Sequence, residues 1–188
     1  MSSCPSCGSE TPAGAAFCPT CGAALAPGER PREERKLVSV LFVDLVGFTS
    51  QSDRADPEEV RDLLQGFHAR SKQEIERFGG TVEKFIGDAV MAVFGAPIAH
   101  GDDAERAVRA GLRVVHAIGD LSRERPDRPL QVRAAVNTGD AIVALGSRPE
   151  AGEAIALGDV VNTASRLQSS APPGGSWSAR RPIGPRGT

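Results

Sequence analysis

The stretch from Leu37 to Ser50, LVSVLFVDLVGFTS, constrains the fold more than any other part of the chain. It begins with an uninterrupted apolar, β-branched run, which predicts a strand buried in a core. The run ends in a carboxylate, Asp44, followed by Gly47 and the hydroxyl of Thr49. A carboxylate beside a glycine turn can hold a cation against a phosphate, because Mg²⁺ takes carboxylate and phosphate oxygens and turn N–H groups bind anions. Asp44 could equally serve only to cap the next helical turn, and this stretch leaves both interpretations open.

Length and composition exclude several classes of protein. The chain has 188 residues, which suffices for one ordinary domain and a small appendage, and 40% of them are hydrophobic, which favours a real core. A net charge of −2 and a pI near 6.0 argue against a global attraction to nucleic acid or acidic membranes. Neither a membrane-spanning apolar run nor a signal-peptide pattern is evident. We therefore expect a soluble, cytoplasmic protein without a membrane partner.

All the cysteines fall in two Cys-x-x-Cys pairs at the start of the chain: Cys4, Cys7, Cys18 and Cys21. Each pair is followed by a glycine, Gly8 or Gly22, which suits a tight turn that aims both thiolates at one ion. Two such turns supply the four ligands of a tetrahedral, structural Zn²⁺ site. Two disulfides are the alternative, but a reducing cytosol disfavours them. We predict a zinc ribbon over residues 1–24 whose closed site leaves no position for catalysis.

The next residues read as a linker, then a helix, then a hairpin. Residues 25–35 are rich in charge and proline and predict a solvated linker. Asp56-Pro57-Glu58-Glu59 is a helix-start signature, and glycines at 79 and 80 end that helix. Residues 81–95 predict a β-hairpin with its turn at Gly87-Asp88.

A second helix and further strands complete the pattern. The helix is predicted to start at Asp102 and to bury Ala104, Val108, Leu112, Val115 and Ile118. Residues 130–136 predict a strand that Asn137-Thr138-Gly139 ends, and residues 141–145 a short partner strand. A further helix from Gly158 places Asn162 and Arg166 four residues apart, so they share a face. That pair could be a surface hydrogen-bonded pair or a clamp for ribose and phosphate.

Three blocks of sequence together resemble the class III adenylate/guanylate cyclase catalytic domain: FVDLVGFT at 42–49, EKFIGD at 83–88, and GDVVNTASRL at 158–167. They occur in the family's order, and the resemblance covers about residues 35–175. It implies an α+β fold, a ferredoxin-like βαββαβ sandwich over residues 36–175, incomplete at its C-terminus and preceded by the zinc ribbon. The implied activity is conversion of ATP to 3′,5′-cyclic AMP and pyrophosphate in intracellular signalling.

The resemblance also implies roles for individual residues. Asp44 and Asp88 match the aspartates that bind two Mg²⁺ or Mn²⁺ ions, Asn162 the residue that orients the ribose, and Arg166 the residue that stabilises charge at the α-phosphate. Lys84 matches the base-selecting position, where a lysine favours ATP over GTP. The cradle for the terminal phosphates would be formed by backbone N–H groups of Leu45, Val46, Gly47, Phe48 and Thr49. The family builds each site between two protomers, so a homodimer with symmetric sites is implied.

Two departures from the family pattern qualify these expectations. The second base-selecting position is Ile155, which cannot hydrogen-bond the adenine amino group, so base discrimination should be looser. Residues 176–188 have no periodicity and lack the family's late phosphate-contacting lysine, so we expect a disordered, non-family tail. One hypothesis is that a frameshift produced this tail. The alternatives to an active cyclase are a catalytically inactive regulatory or dimerisation module, and an adaptor built on the zinc ribbon. Nucleic acid is an unlikely ligand for such an adaptor because the net charge is near zero.

Overall fold

The computed structural model describes residues 2–4, 6–12, 15, 17–23, 25, 32–48, 52, 55–125, 129–146, 155–174 and 176–179. The chain divides into two compact units, residues 1–32 and residues 33–188. In the first unit, β1 (Ser2–Ser3) pairs antiparallel with β2 (Glu10–Thr11). The cysteine turns of this unit are described below with its candidate metal site.

In the part that the structure describes, the second unit is a curled sheet with three long helices. Its elements are β3 (Arg32–Leu45), α1 (Pro57–Arg77), β4 (Thr81–Ile86), β5 (Ala89–Phe94), α2 (Asp103–Arg123), β6 (Val132–Leu145), β7 (Ala156–Leu157), α3 (Asp159–Ser170) and β8 (Ser176–Ala179). The strand order is β4-β5-β3-β6-β7, with β8 also paired to β6. The succession β3-α1-β4-β5-α2-β6 confirms the predicted ferredoxin-like α+β fold.

Strand β3 lies at the centre of the sheet and is buried on both faces. Leu41, Val43 and Leu45 belong to the apolar cluster that also contains residues of α1 and α2. The alternate residues Val40 and Phe42 belong to a second cluster, which contains residues of α3. Because side chains alternate along a strand, Asp44 is on the same face as Phe42, the face that α3 covers.

The first helix begins as its sequence predicts. Asp56 is the N-cap, and its side chain accepts a hydrogen bond from the backbone N–H of Glu58 at 2.8 Å. Pro57 occupies the first turn, where its missing N–H costs nothing. Gly79 adopts φ +78° beyond the last turn, a conformation that favours glycine.

The buried stripe of α2 differs from the prediction. Ala104 is exposed and the Leu112 side chain is 54% exposed. Ile118 is buried as predicted, and the other buried residues of the helix are Ala107, Ala110, Gly111, Val114 and Leu121. Small residues on this face let the helix lie close to its neighbours. The prediction was based on the larger aliphatic side chains, and the face that it assigned to the core is therefore rotated towards solvent.

Two boundaries also differ from the sequence expectations. Strand β3 already begins at Arg32, within the predicted linker, and residues 26–31 lie outside the described part of the chain. Strand β6 continues through residues 137–139 instead of ending there. The turn-forming residues of that segment lie beside α3: the Asn137 side-chain amide donates to the Val160 carbonyl at 3.1 Å, and a Cβ at Gly139 would lie 3.4 Å from the Val160 side chain.

The expectation of a disordered tail is wrong for residues 176–179. They form β8, which pairs in parallel with β6 over the register Ala134↔Ser176 to Asn137↔Ala179. The short strand β7 pairs with β6 only at residues 142–143, so the earlier part of β6 keeps unpaired backbone groups that β8 satisfies. Within the described residues, no helix is long and apolar enough to cross a membrane.

Candidate active site

Asp44 and Asp88 come from adjacent strand ends. Asp44 lies opposite Ala89 in the β3–β5 register, and the N–H of Leu45 donates to the Asp88 carbonyl at 3.0 Å. Gly87 adopts φ +59° in the turn before Asp88, which explains why the tight turn carries a glycine there. The fold therefore brings the two predicted metal-binding aspartates to neighbouring positions.

The electrostatics around Asp44 favour a cation. Burial raises the pKa of Asp44 above its ordinary value, and the neighbouring charge of Asp88 raises it further. The hydrogen bond from Gln168 and the charge of Arg133 oppose this rise in pKa. Two carboxylates near each other, one of them about half-buried, form a set of hard oxygen ligands whose repulsion Mg²⁺ or Mn²⁺ would relieve. The residues present therefore fit divalent cations.

Two residues that support these aspartates were not among the predicted site residues. Gln168, which is only 8% exposed, donates from Nε2 to Oδ2 of Asp44 at 3.2 Å. His68 hydrogen-bonds through Nε2 to the Gly87 carbonyl at 2.9 Å, and its ring contacts that of Phe85. Gln168 had a sequence signal, because it lies on the same helical stripe as Val160 and Ala164, where a polar residue is out of place.

Lys84 and Asn162 line one cleft. Its volume is about 440 Å³, and its walls come from β4, β7 and the start of α3. The lining residues are Glu83, Lys84, Ala156, Leu157, Gly158, Asp159, Val161 and Asn162. The base-selecting and ribose-orienting candidates are thus brought together within one chain.

Arg166 lies on the exposed face of α3. It donates to the Thr163 hydroxyl at 2.9 Å and approaches Asp159 at 3.8 Å. The helix buries Val160, Ala164 and Gln168, and a step of two residues turns a helix by about 200°. Asn162 and Arg166 therefore point away from the face that contacts Asp44.

Ile155 and part of the predicted phosphate cradle do not contribute to these sites. Ile155 is only 4% exposed, packs in the apolar cluster beneath α3, and is not among the residues that line the cleft. The N–H groups of Leu45 and Val46 donate to the carbonyls of Asp88 and Gln131, at 3.0 and 2.8 Å, so a phosphate cannot receive them. Gly47 and Phe48 follow in the turn, and Thr49 lies outside the described residues.

The cysteines of the first unit converge as predicted. Their four Sγ atoms lie within 4.8 Å of one another, with Cys4–Cys21 at 3.7 Å and Cys7–Cys18 at 3.6 Å. A tetrahedral site with Zn–S bonds of about 2.3 Å places its sulfur atoms about 3.8 Å apart, so the arrangement fits Zn²⁺. The two cysteine pairs form turns of the same kind. In each turn the N–H of the glycine after the pair donates to the carbonyl of the first cysteine, Gly8 to Cys4 at 2.8 Å and Gly22 to Cys18 at 2.9 Å.

Solved cyclase structures share this fold. The crystal structure of the guanylyl cyclase Cya2 is 32% identical with a TM-score of 0.69, and the match covers 76% of this chain and 74% of that one. The adenylyl cyclase CyaB from P. aeruginosa is 32% identical with a TM-score of 0.70, and the match covers 77% of each chain. The neighbours therefore include cyclases of both base specificities.

Sequence comparisons agree with the structural ones. Adenylate cyclase 1 of Rhizobium meliloti (strain 1021) is 33% identical over 137 residues, a region that makes up 71% of this chain and 21% of that protein. The chain thus spans about a fifth of that relative's length. The profile of the zinc-ribbon domain matches residues 3–25, and that of the adenylate and guanylate cyclase catalytic domain matches residues 31–175. The chain therefore belongs to the adenylate and guanylate cyclase family and carries a zinc-ribbon domain before the cyclase domain.

Proposed function

We propose that two copies of this chain form an adenylate cyclase that converts ATP to 3′,5′-cyclic AMP and pyrophosphate. The observation that carries this proposal is the orientation of α3. Its buried face contacts Asp44 through Gln168, whereas its exposed face carries Asn162 and Arg166. Asp44 and the Asn/Arg pair of one chain therefore face different directions, and a second copy would bring the two sets to one nucleotide.

Asp44 and Asp88 would hold two Mg²⁺ or Mn²⁺ ions. Such ions, when bound, promote ionisation of the ribose 3′-hydroxyl and neutralise the triphosphate. The protein's part is to keep the two carboxylates adjacent, and the pairing of the strand ends supports this. The attack of the 3′-oxygen on the α-phosphorus is an in-line displacement, in which positioning and charge stabilisation provide most of the catalysis.

The cleft of the partner copy would hold the base and the ribose. A volume of about 440 Å³ lies within the range of small-molecule sites, about 300–1,000 Å³. Lys84 can only donate hydrogen bonds, which suits the N1 acceptor of adenine and opposes the N1–H of guanine. Asn162, on the opposite wall, would hold the ribose so that its 3′-hydroxyl faces the α-phosphate.

Arg166 would stabilise the charge that develops at the α-phosphate. Its guanidinium lies within reach of Thr163, less than one turn away along the helix, and of Asp159, about two turns away. These contacts limit its freedom before a nucleotide arrives. A planar fork of N–H donors matches the oxygens of a phosphate better than a single ammonium does. This residue would act on the transition state more than on the bound substrate.

The zinc ribbon would carry one structural Zn²⁺ and take no part in the chemistry. Four thiolates fill all positions of a tetrahedral ion and leave none for water or substrate. Reduced thiols of this kind are typical of a reducing compartment, which supports a cytoplasmic location.

Cyclisation assays test the proposal. The full-length chain should make cyclic AMP from Mn²⁺-ATP and much less cyclic GMP from Mn²⁺-GTP, and Asp44→Ala should lower the rate at least a hundredfold. Asp62→Ala is the matched control, because Asp62 is an exposed aspartate of α1 whose salt bridge is to the adjacent Arg61. Equal rates for the Asp44→Ala variant and the unmodified chain would refute the site. A folded dimer with no turnover would instead support an inactive regulatory module.

A further inference from the structure

Glu83 is a buried carboxylate on the wall of the cleft that contains Lys84 and Asn162. Its side chain is only 1% exposed. Removing an ionised carboxylate from water costs several kcal/mol unless the charge is paired and hydrogen-bonded. The contacts of Glu83 therefore show which groups stabilise its charge.

One carboxylate oxygen joins two strands that lie at opposite edges of the sheet. Oε2 of Glu83, on β4, accepts a hydrogen bond from the N–H of Ala156, on β7, at 3.2 Å. The residues next to these two, Lys84 and Leu157, both line the cleft. The bond therefore fixes the separation of the cleft's two walls.

The other oxygen faces the lysine that is expected to select the base. Oε1 of Glu83 lies 3.3 Å from Nζ of Lys84 and, within the described part of the chain, accepts no hydrogen bond. The Lys84 side chain is 49% exposed. A lysine has four rotatable bonds, so without an anchor its ammonium would sample many positions in the cleft.

We propose that Glu83 is a positioning residue that holds the Lys84 ammonium towards the nucleobase and thereby maintains selection for adenine. This inference rests on the proposed function. It revises the expectation of loose base discrimination, which followed from the inability of Ile155 to hydrogen-bond the adenine amino group. Ile155 is apolar and packed in the core, whereas the Glu83 carboxylate lies 3.3 Å from the Lys84 ammonium on the wall of the same cleft.

Glu83→Gln separates the two functions of this carboxylate. The glutamine carbonyl can still accept the Ala156 N–H, whereas the amide cannot neutralise Lys84. We expect kcat/KM for ATP to fall about tenfold, mainly through KM, with kcat within about threefold of the unmodified chain. The ATP-to-GTP ratio of kcat/KM should fall about tenfold, because GTP does not use the lysine in the same way.

Glu74→Gln is the matched control. Glu74 is the other glutamate that is buried among the described residues, and it pairs with Arg113 on α2 at 3.4 Å, outside the cleft lining. This variant should leave the ATP-to-GTP ratio unchanged even if it lowers stability. Should Glu83→Gln fail to fold, Glu83→Asp retains the charge at a shorter reach and should lower the ratio by about threefold.

A substrate analogue tests whether Glu83 acts through Lys84. 1-Deaza-ATP lacks the ring nitrogen that would accept from the lysine, so the unmodified chain and Glu83→Gln should use it with rates that agree within about twofold. An equal loss for ATP, GTP and 1-deaza-ATP would overturn the proposal in favour of a purely structural role. An unchanged ATP-to-GTP ratio in an ATP-selective enzyme would overturn it as well, while leaving the proposed function intact.

Binding measurements allow the same test even if the protein has no catalytic activity. Calorimetric titration with the α,β-methylene analogues of ATP and GTP gives a ratio of dissociation constants, and Glu83→Gln should reduce that ratio about tenfold. An unmodified chain that binds neither analogue would contradict the proposed function together with this inference.

Discussion

Nε2 of Gln168 donates a hydrogen bond to Oδ2 of Asp44 across 3.2 Å, linking the buried face of α3 to the carboxylate at the end of the central strand. The same helix displays Asn162 and Arg166 on its exposed face. In a homodimer, one helix would thus contact the metal-binding carboxylate of its own chain and the nucleotide bound to its partner. Changes at Gln168 should therefore affect metal binding specifically.

Gln168→Ala should weaken Mn²⁺ binding by about 10- to 100-fold, as removal of the hydrogen-bond partner of a metal ligand commonly does. Asp44 would lose the donor that fixes its orientation. Mn²⁺ affinity measured by electron paramagnetic resonance checks this. Gln65→Ala, at an exposed position of α1, is the control and should bind Mn²⁺ as the unmodified chain does. Equal affinities for all three proteins would show that this hydrogen bond does not orient a metal ligand.

Asp44→Asn should stabilise the protein when no divalent cation is present. The pKa of Asp44 is raised in the folded state by burial and by Asp88, so folding favours the protonated form. The stability associated with this group is therefore fully present below its ordinary pKa and is lost as the pH rises through the raised value. Asparagine avoids this loss, and its carbonyl still accepts from Gln168.

We expect the melting temperature of Asp44→Asn at pH 7, in EDTA, to exceed that of the unmodified chain by roughly 1–3 °C, a small gain because solvent screens a half-buried carboxylate. The difference should vanish near pH 3, and Mn²⁺ should raise the melting temperature of the unmodified chain only. A variant that is less stable than the unmodified chain at pH 7 would contradict the electrostatic description of the site.

Cys18→Ser should release the zinc. The chain has only four cysteines, all in the ribbon, so a thiol-reactive reagent with a colorimetric zinc indicator reports on this site alone. The unmodified chain should yield one equivalent of Zn²⁺ by elemental analysis and the variant much less than one, because three thiolates hold the ion more weakly than four. Retention of a full equivalent by Cys18→Ser would show that the thiolates bind in some other arrangement.

Gly80→Ala should destabilise the cyclase domain by about 1–3 kcal/mol, since overpacking a core displaces its side chains. A Cβ at Gly80 would lie 2.4 Å from Cζ of Phe94, a fully buried residue. Gly119→Ala is the matched variant, because a Cβ there meets nothing within 4 Å and alanine favours the interior of α2. Urea unfolding should show opposite signs for the two. Equal stability of Gly80→Ala and the unmodified chain would mean that Phe94 packs elsewhere.

Local patterns predicted most of the fold. The β-branched run before Asp44, the cap at Asp56 and the Gly87 turn each determine structure through neighbouring residues, and each predicted element forms, although β3 starts earlier than expected. The continuation of β6 through Asn137 could not be predicted from neighbouring residues. Its turn-forming side chain is used in a contact with the Val160 carbonyl, 23 residues away, which no local pattern reveals.

For the candidate site, too, some features could be predicted from local sequence and others could not. Residue types and spacing sufficed to nominate Asp44 and Lys84, but their supporting contacts required the fold. Gln168 meets Asp44 across 124 positions of sequence, and Glu83 meets Ala156 across 73. Hydrogen bonds between residues so far apart depend on the packing of whole elements, so the sequence alone could not supply them.

The dimeric arrangement of the site is the central claim, and complementation between two inactive variants tests it most directly. Asp44→Ala and Arg166→Ala, each inactive alone, are unfolded together in equal amounts, refolded with zinc and assayed with Mn²⁺-ATP. Random pairing makes half of the dimers mixed, and each mixed dimer has one intact site out of two, so the mixture should recover about a quarter of the unmodified rate. A mixture of folded dimers no more active than the two variants measured separately would contradict a site shared between protomers.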